Sequence, residues 1–318
     1  MTQSAFSLAV VVVTYNRRTQ IEQTVARLLA ESMTHLVVVD NGSSDGSREW
    51  LATIEDPRFT LLTPEQNLGG AGGFELGLTH VANVIDPDWV VVMDDDARPY
   101  PGAFDAFRQA DLTGWDGIAA AVYFPDGTIC GMNRPILNPF ARFSVFIETV
   151  RRGGNRAAFH LANPAYDDTE TVAVDGASFV GLFLSRAGLK LAGVPDGRLF
   201  IYAEDGLYTL GLTQAGGRLG FMPQIHFEHD CSTFTPSGQF SPLWKVYYYH
   251  RNLMLLYRRA AGIWFWLVLL AVIPKWLLKA RHYQGQARRL FLRLIRMAII
   301  DGLRRRLDRH VHRLEGSD

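Results

Sequence analysis

Four apolar runs punctuate the first hundred positions: Leu8–Val13, Leu36–Val39, Phe59–Leu62 and Val90–Met93. Three of them are rich in valine and show no polar alternation, which marks strands buried on both faces. Between the first two, Ile21, Val25, Leu28 and Leu29 recur at helical spacing and predict an amphipathic helix ending near Leu29. The second run feeds a short helix capped by Asp45 or Ser47, and the glycine-rich stretch Asn67–Gly73 enters another. Further strands are expected over Ile118–Tyr123, Val174–Leu184 and Arg218–Met222, with a helix from Leu207 to about Ala215. Such alternation predicts an α/β fold with a parallel, doubly wound sheet. Residues 133–168 show no strong period and read as an insertion facing an acceptor.

Polar residues gather where the runs stop. Thr14, Tyr15, Asn16 and Arg17 end the first, and Asp40, Asn41, Gly42 and Ser43 end the second. The fourth closes on Asp94, Asp95 and Asp96 before Pro99. Aspartate favours turns, and ligands of open α/β sheets bind at the carboxyl ends of strands. Three crowded carboxylates repel one another unless a hard cation such as Mg²⁺ or Mn²⁺ holds them; the plain alternative is a solvated acidic turn. Alternation along an extended chain puts Asp94 and Asp96 on one side and Asp95 on the other, toward an acceptor or a supporting partner. The glycine stretch is neither a Walker loop nor a dinucleotide fingerprint, and it either cradles a phosphate or simply turns the chain. Asp205 either caps the helix that follows it or acts as a base. His226, Glu228, His229 and Asp230 offer metal or phosphate ligands.

Beyond residue 241 the pattern changes. Trp244–Arg259 interleaves aromatics with bases, Ala260–Pro274 is almost wholly apolar, and the stretch from Leu277 to Met297 alternates leucines with arginines. Fifteen apolar residues fall short of the roughly 20 that span a bilayer, so an interfacial or re-entrant segment is expected. Basic residues then follow the pattern of an amphipathic helix, with Trp276 and Tyr283 near one end, that suits anionic headgroups. Formal net charge is zero, yet residues 242–318 hold 16 of the 32 Lys and Arg and only four of the 32 Asp and Glu. This tail predicts contact with an anionic membrane surface. A helical homo-oligomerisation face is the alternative, and so heavy an apolar stripe argues against nucleic acid. Cys130 and Cys231 form no CxxC and read as packing residues, and the first residues lack a basic leader, so a reducing cytoplasm is expected.

The order and spacing of these motifs resemble the GT-A fold of inverting family 2 glycosyltransferases over residues 6–235. His229 stands 24 residues after Asp205 and six after Pro223, as the family's late histidine does, whereas His226 breaks that register. The glycine-rich Asn67–Phe74 segment, the triple aspartate and Tyr248, Tyr249, Arg251 and Asn252 are similar to bacterial galactofuranosyltransferases, and related rhamnosyltransferases share most of the frame. The resemblance implies a Rossmann-like, mostly parallel sheet flanked by helices (1–235) with a C-terminal membrane-associating helical region (236–318). It implies that Thr14, Tyr15 and Arg17 line a nucleotide pocket, that Asp40 accepts from the base, and that Asn67, Gly69 and Gly70 face the diphosphate. Asp94 would sit by the ribose and the metal, Asp96 and His229 would bind Mn²⁺ or Mg²⁺, and Asp205 would be the general base, with Asp95 and Glu204 toward the substrates. The expected activity is metal-dependent transfer with inversion, most readily of galactofuranose from UDP-galactofuranose to a lipid-linked or cell-surface glycan at the inner face of the cell membrane. A dTDP-rhamnose donor is the near alternative. A sugar nucleotidyltransferase and a non-catalytic nucleotide-binding scaffold are the alternatives of another class.

Overall fold

The computed structural model describes residues 6–231 and 239–313; the 235/236 boundary falls outside them. Its strands are β1 (Leu8–Thr14), β2 (His35–Asp40), β3 (Phe59–Leu62), β4 (Trp89–Asp94), β5 (Ala97–Pro99), β6 (Gly117–Tyr123), β7 (Val172–Val174), β8 (Leu182–Ser185) and β9 (Leu219–His229). They form one sheet in the order β3-β2-β1-β4-β8-β6-β9-β5, with β7 on β9. β1 to β4 are mutually parallel, whereas β8 runs antiparallel to β4 and to β6, and β5 and β7 run antiparallel to β9. The sheet is therefore mixed, not fully parallel. The expected strand over Val174–Leu184 is two strands, β7 and β8, on different neighbours.

All seven residues of β1 are buried. Period-two alternation sends Leu8, Val10 and Val12 into one core and Ala9, Val11 and Val13 into the core on the opposite face. Each fully buried valine is worth about 1.5–3 kcal/mol over exposure. α1 (Arg18–Leu29) covers the first face with Ile21, Val25 and Leu28. α3 (Gly69–His80), after the short α2 (Ser47–Leu51), covers the second. The glycine stretch is thus no loose turn but the opening turns of α3. A Cβ on Gly73 or Gly77 would lie 2.4 or 2.5 Å from a methyl of Val13 or Val11, so these glycines let the helix settle directly on β1.

After α4 (Ala103–Gln109), α5 (Phe143–Arg151), α6 (Arg186–Ala192) and α7 (Glu204–Gln214), the chain ends in α8 (Lys245–Ala261), α9 (Phe265–Leu278) and α10 (Gly285–Arg304). These last helices enclose a third core with Tyr247, Tyr248, Trp276, Tyr283, Phe291 and Leu294. Trp276 and Tyr283, near one end of the basic stretch, are therefore buried in protein. The apolar stripe of α10 is likewise spent, since Gly302 packs against Met254 and the Arg251 carbonyl of α8. Its outer face keeps Arg288, Arg289, Arg293 and Arg296 exposed.

Candidate active site

The carboxyl ends of β1 and β4, the start of α3, the segment before α7, the end of β9 and the start of α8 surround one cleft of about 760 Å³. Thr14, Tyr15, Arg17, Asn67, Gly69, Gly70, all three aspartates, Glu204, Asp205 and His229 line it, together with Trp244 and Lys245. Asp40 does not: it is fully buried, and its carboxylate accepts from Arg48 Nε (2.8 Å) and the Ser43 N–H. Its neighbour Asn41 takes the cleft position, donating to the Gly69 carbonyl at 2.9 Å.

Sheet register brings His229 to the aspartates. β5 pairs with β9 so that Ala97 faces His229, and the Asp230 N–H donates to the Asp96 carbonyl. The pairing of β9 with β6 slips between Ala120 and Ala121, which accommodates Pro223 inside the strand. Beyond the slip Ile225, Phe227 and His229 are buried in alternation. His226 points to the other side, among Tyr100 and Tyr123, and Glu228 pairs with Arg98. His229 Nε2 lies 3.1 Å from Asp96 Oδ1, and its Nδ1–H donates to Asn133 Oδ1 at 2.8 Å. Asn133 in turn donates to Ser178 Oγ. Donor atoms of Asp94, Asp96 and His229 all fall within 4.8 Å of one another. Two carboxylates and an imidazole suit Mn²⁺ and accept Mg²⁺, so these residues fit the cation the resemblance implies.

Asp95 turns away from this group. It accepts from Thr14 Oγ1 at 2.7 Å and from Arg17 Nη1 at 3.1 Å, and the same Arg17 nitrogen also binds Asp96. Thr14 and Asp95 are nearly inaccessible, so they hold Arg17 in place and offer little surface to a substrate.

Burial and neighbouring charges shift the groups of this cluster. Burial, with the Asp96 charge beside it, pushes Asp94 up to about 7; burial raises Asp95 to about 6 against the pull of Arg17. For Asp96, burial is outweighed by the hydrogen bond and charge of His229 and by Arg17, and its carboxyl stays below the ordinary range. Burial also works to neutralise His229, yet its bonds to Asp96 and Cys130 and the aspartate charges lift it to about 10.

Glu204 and Asp205 open α7, where acids favour the positive helix end. Burial, then the charge of Asp205, pushes Glu204 up to about 8; burial raises Asp205 against the Gly206 N–H. The cap position is Ala203, so Asp205 is not the helix cap. The backbone before it is strained, because Phe200, Tyr202 and Ala203 all adopt positive φ (68°, 71° and 63°). Arg251 and Asn252 of α8, both fully buried, hold it in that shape. Arg251 donates to the Leu199 carbonyl, and the Asn252 amide donates to those of Leu199, Ile201 and Tyr202 at 2.8–3.0 Å. Gly69 is pressed against the same segment, since a Cβ there would lie 2.1 Å from the Phe200 oxygen.

The buried acids make stability depend on pH. From the ordinary 4.5 of Glu204 to about 8, the unfolded chain has released a proton that the folded protein still binds, so stability falls as pH rises. Asp94 and Asp95 act in the same direction. So does His229: the stability its charged form adds below 6.5 is lost as pH climbs to about 10. Asp96 opposes them only in the acid range below 3.8. The melting temperature of the metal-free protein is therefore expected to fall between about pH 5 and 8, and less steeply in Glu204→Gln. A flat wild-type profile would defeat this reading.

Residues 9–154 match the family model "Glycosyl transferase family 2". The chain is 31% identical over 249 residues to galactofuranosyltransferase GlfT1 of Mycobacterium tuberculosis, covering 76% of this chain and 74% of that protein. It is 28% identical over 244 residues to an N-acetylglucosaminyl-diphospho-decaprenol L-rhamnosyltransferase of the same species, covering 70% and 75%. Among solved structures, Staphylococcus aureus TarS residues 1–349 superpose with a TM-score of 0.56 at 14% identity, covering 95% of this chain and 82% of that one. The Pyrobaculum calidifontis mannosyltransferase PcManGT, solved with GDP-Man and Mn²⁺, gives 0.52 at 16%, covering 95% and 87%. These two likenesses bear on the fold. With the mixed sheet, the cleft at its strand ends and the sequence identity taken together, the chain is a glycosyltransferase of family 2 with the GT-A fold.

Proposed function

We propose that the protein is a metal-dependent inverting transferase that moves galactofuranose from UDP-galactofuranose to a lipid-linked or cell-surface glycan. The observation that carries this reading is the grouping, in one cleft, of a three-ligand cation set (Asp94, Asp96, His229) with a separate half-buried carboxylate, Asp205. When bound there, Mn²⁺ or Mg²⁺ neutralises the departing diphosphate. Arg17 and Lys245, which line the same cleft, add positive charge on that side, and Asn67 with the start of α3 faces the phosphates. Asp205 takes the proton of the acceptor hydroxyl as its oxygen bonds to the anomeric carbon and the bond from that carbon to UDP breaks. A single displacement inverts the centre, by the logic that separates the two glycosidase geometries. Glu204 faces Gly70 with one oxygen buried and unpartnered, and we place it toward the acceptor.

The donor assignment leans on the galactofuranosyltransferase relative, and the rhamnosyltransferase relative supports dTDP-rhamnose as a second reading. A panel of UDP- and dTDP-sugars, scored by thermal stabilisation with Mn²⁺, separates them. UDP-galactofuranose is expected to give the largest shift and to release UDP, not pyrophosphate. A shift by dTDP-rhamnose alone would replace this reading by the second.

We also infer peripheral attachment at the inner membrane face. The segment Lys245–His282 is long and apolar enough to cross a membrane by length and composition, but the first half of α8 is buried in protein. The exposed part is α9 and the turn before it: Ile263, Trp266, Leu270 and Leu278 are 88, 63, 73 and 62% exposed. α10 also exposes Arg288, Arg289, Arg293 and Arg296, whose charge complements anionic lipid. Trp266→Glu with Leu270→Glu is expected to abolish flotation with anionic vesicles. Unchanged flotation would move the contact elsewhere. Truncation near Ser241 is the poorer test, because it also removes Arg251 and Asn252 from the strained segment.

A further inference from the structure

Beside His229 lie the two cysteines, Cys130 on the Nδ1 side of the ring. The Sγ atoms of Cys130 and Cys231 and a ring nitrogen of His229 all fall within 4.8 Å of one another, and Cys130 Sγ is 3.9 Å from Nδ1. Both thiols are free, and the sugar-transfer reading uses neither. Around a tetrahedral zinc, with Zn–S of about 2.3 Å and Zn–N of about 2.0 Å, sulfur and nitrogen donors stand roughly 3.5–3.8 Å apart. Cys130 Sγ and His229 Nδ1, 3.9 Å apart, stand close to that spacing, and Cys231 Sγ lies within 4.8 Å of the group, so small side-chain shifts bring all three onto one ion. Cys130 is fully buried, but His229 and Cys231 line the cleft and give a metal its way in.

We propose that Cys130, His229 and Cys231 form a second metal site that takes Zn²⁺, and that occupying it excludes the cation held by Asp94, Asp96 and His229. The exclusion, though not the thiol site itself, rests on the carboxylate site proposed above. A neutral imidazole has one lone pair. With Nδ1–H donating to Asn133, that pair lies on Nε2 and faces the aspartates. Zinc at Nδ1 requires the other tautomer: the ring proton sits on Nε2, donates to Asp96 Oδ1, and leaves nothing there for a second metal. The metal-free ring is charged, with a proton on each nitrogen; on binding, its Nδ1 proton and both thiol protons pass to solvent, and two thiolates balance the charge of the ion. Asn133 Oδ1, 2.9 Å from Cys130 Sγ, or a water fills the fourth position. Softness sorts the ions, since thiolates select zinc while oxygen-rich sites favour Mg²⁺ and Mn²⁺. Zinc thus acts as an inhibitor by turning the tautomer of a ligand the two sites share.

The test uses the full chain, kept reduced by a phosphine. Titration with Co²⁺ alone is expected to raise a thiolate-to-cobalt charge-transfer band in the near ultraviolet that saturates at one equivalent. Zn²⁺ should abolish the band, and Cys231→Ser and Cys231→Ala should lack it. In parallel, Mn²⁺ bound to the wild type, followed by electron paramagnetic resonance, should be released by one equivalent of Zn²⁺. Cys231→Ser should need about tenfold more Zn²⁺ or beyond. No thiolate band in the wild type overturns the proposal, as does equal release of Mn²⁺ from Cys231→Ser, which would place zinc on the carboxylates. A thiolate band in a protein that never binds Mn²⁺ keeps the thiol site and overturns the carboxylate site instead.

Discussion

Asp205→Asn is expected to lower sugar transfer by about 10²–10⁴-fold, the usual range for losing a general base, while leaving donor binding intact. The substitution keeps shape and can still accept from the Gly206 N–H, so α7 and the strained segment should hold. What it removes is the only function the proposed mechanism asks of Asp205, a place for the acceptor's proton. Because burial raises this carboxyl, the acid limb of the wild-type rate should lie above the ordinary carboxylate range, with activity rising as Asp205 deprotonates. Wild-type turnover in Asp205→Asn with unchanged UDP-sugar binding would remove it from the mechanism.

Chelation is the second large effect. EDTA should stop transfer, and added Mn²⁺ or Mg²⁺ should restore it. The fold itself supplies a readout apart from activity. Mn²⁺ brings a countercharge to carboxyls that burial pushes up to about 7 at Asp94 and about 6 at Asp95, so it should raise the melting temperature of the wild type. In Asp96→Ala and His229→Ala, which lack a ligand, that stabilisation should vanish. Arg17 sharpens the expectation. It bridges Asp95 and Asp96 and partly stands in for a cation, so the protein should stay folded in EDTA. Full activity in EDTA would reject both ligands.

Much of this arrangement was legible in the chain because it depends on local pattern. The valine runs read as β1, β2 and β4, since strands buried on both faces leave no polar alternation to misplace. Asp94, Asp96 and His229, which the sequence singled out, come within 4.8 Å of one another. What stayed hidden depends on long-range register. Asn133 lies in an aperiodic stretch, and nothing local says that its amide meets His229. The cysteines looked like packing residues because only the pairing of β9 with β5 and β6 carries Cys231 toward Cys130. The expected mostly parallel sheet gives way to an antiparallel pair at β8, whose direction is set by its neighbours and not by its own residues. For Asp40, a strand-end position could not reveal that Arg48 already occupies its carboxylate.

The helix α8 touches the cleft at Trp244 and Lys245 and leads at its other end into the exposed apolar turn at Ile263. Its 17 residues measure about 25 Å. On the membrane reading it is a spacer. The reacting hydroxyl of a lipid-anchored acceptor can then stand no farther from the bilayer than about one such helix length.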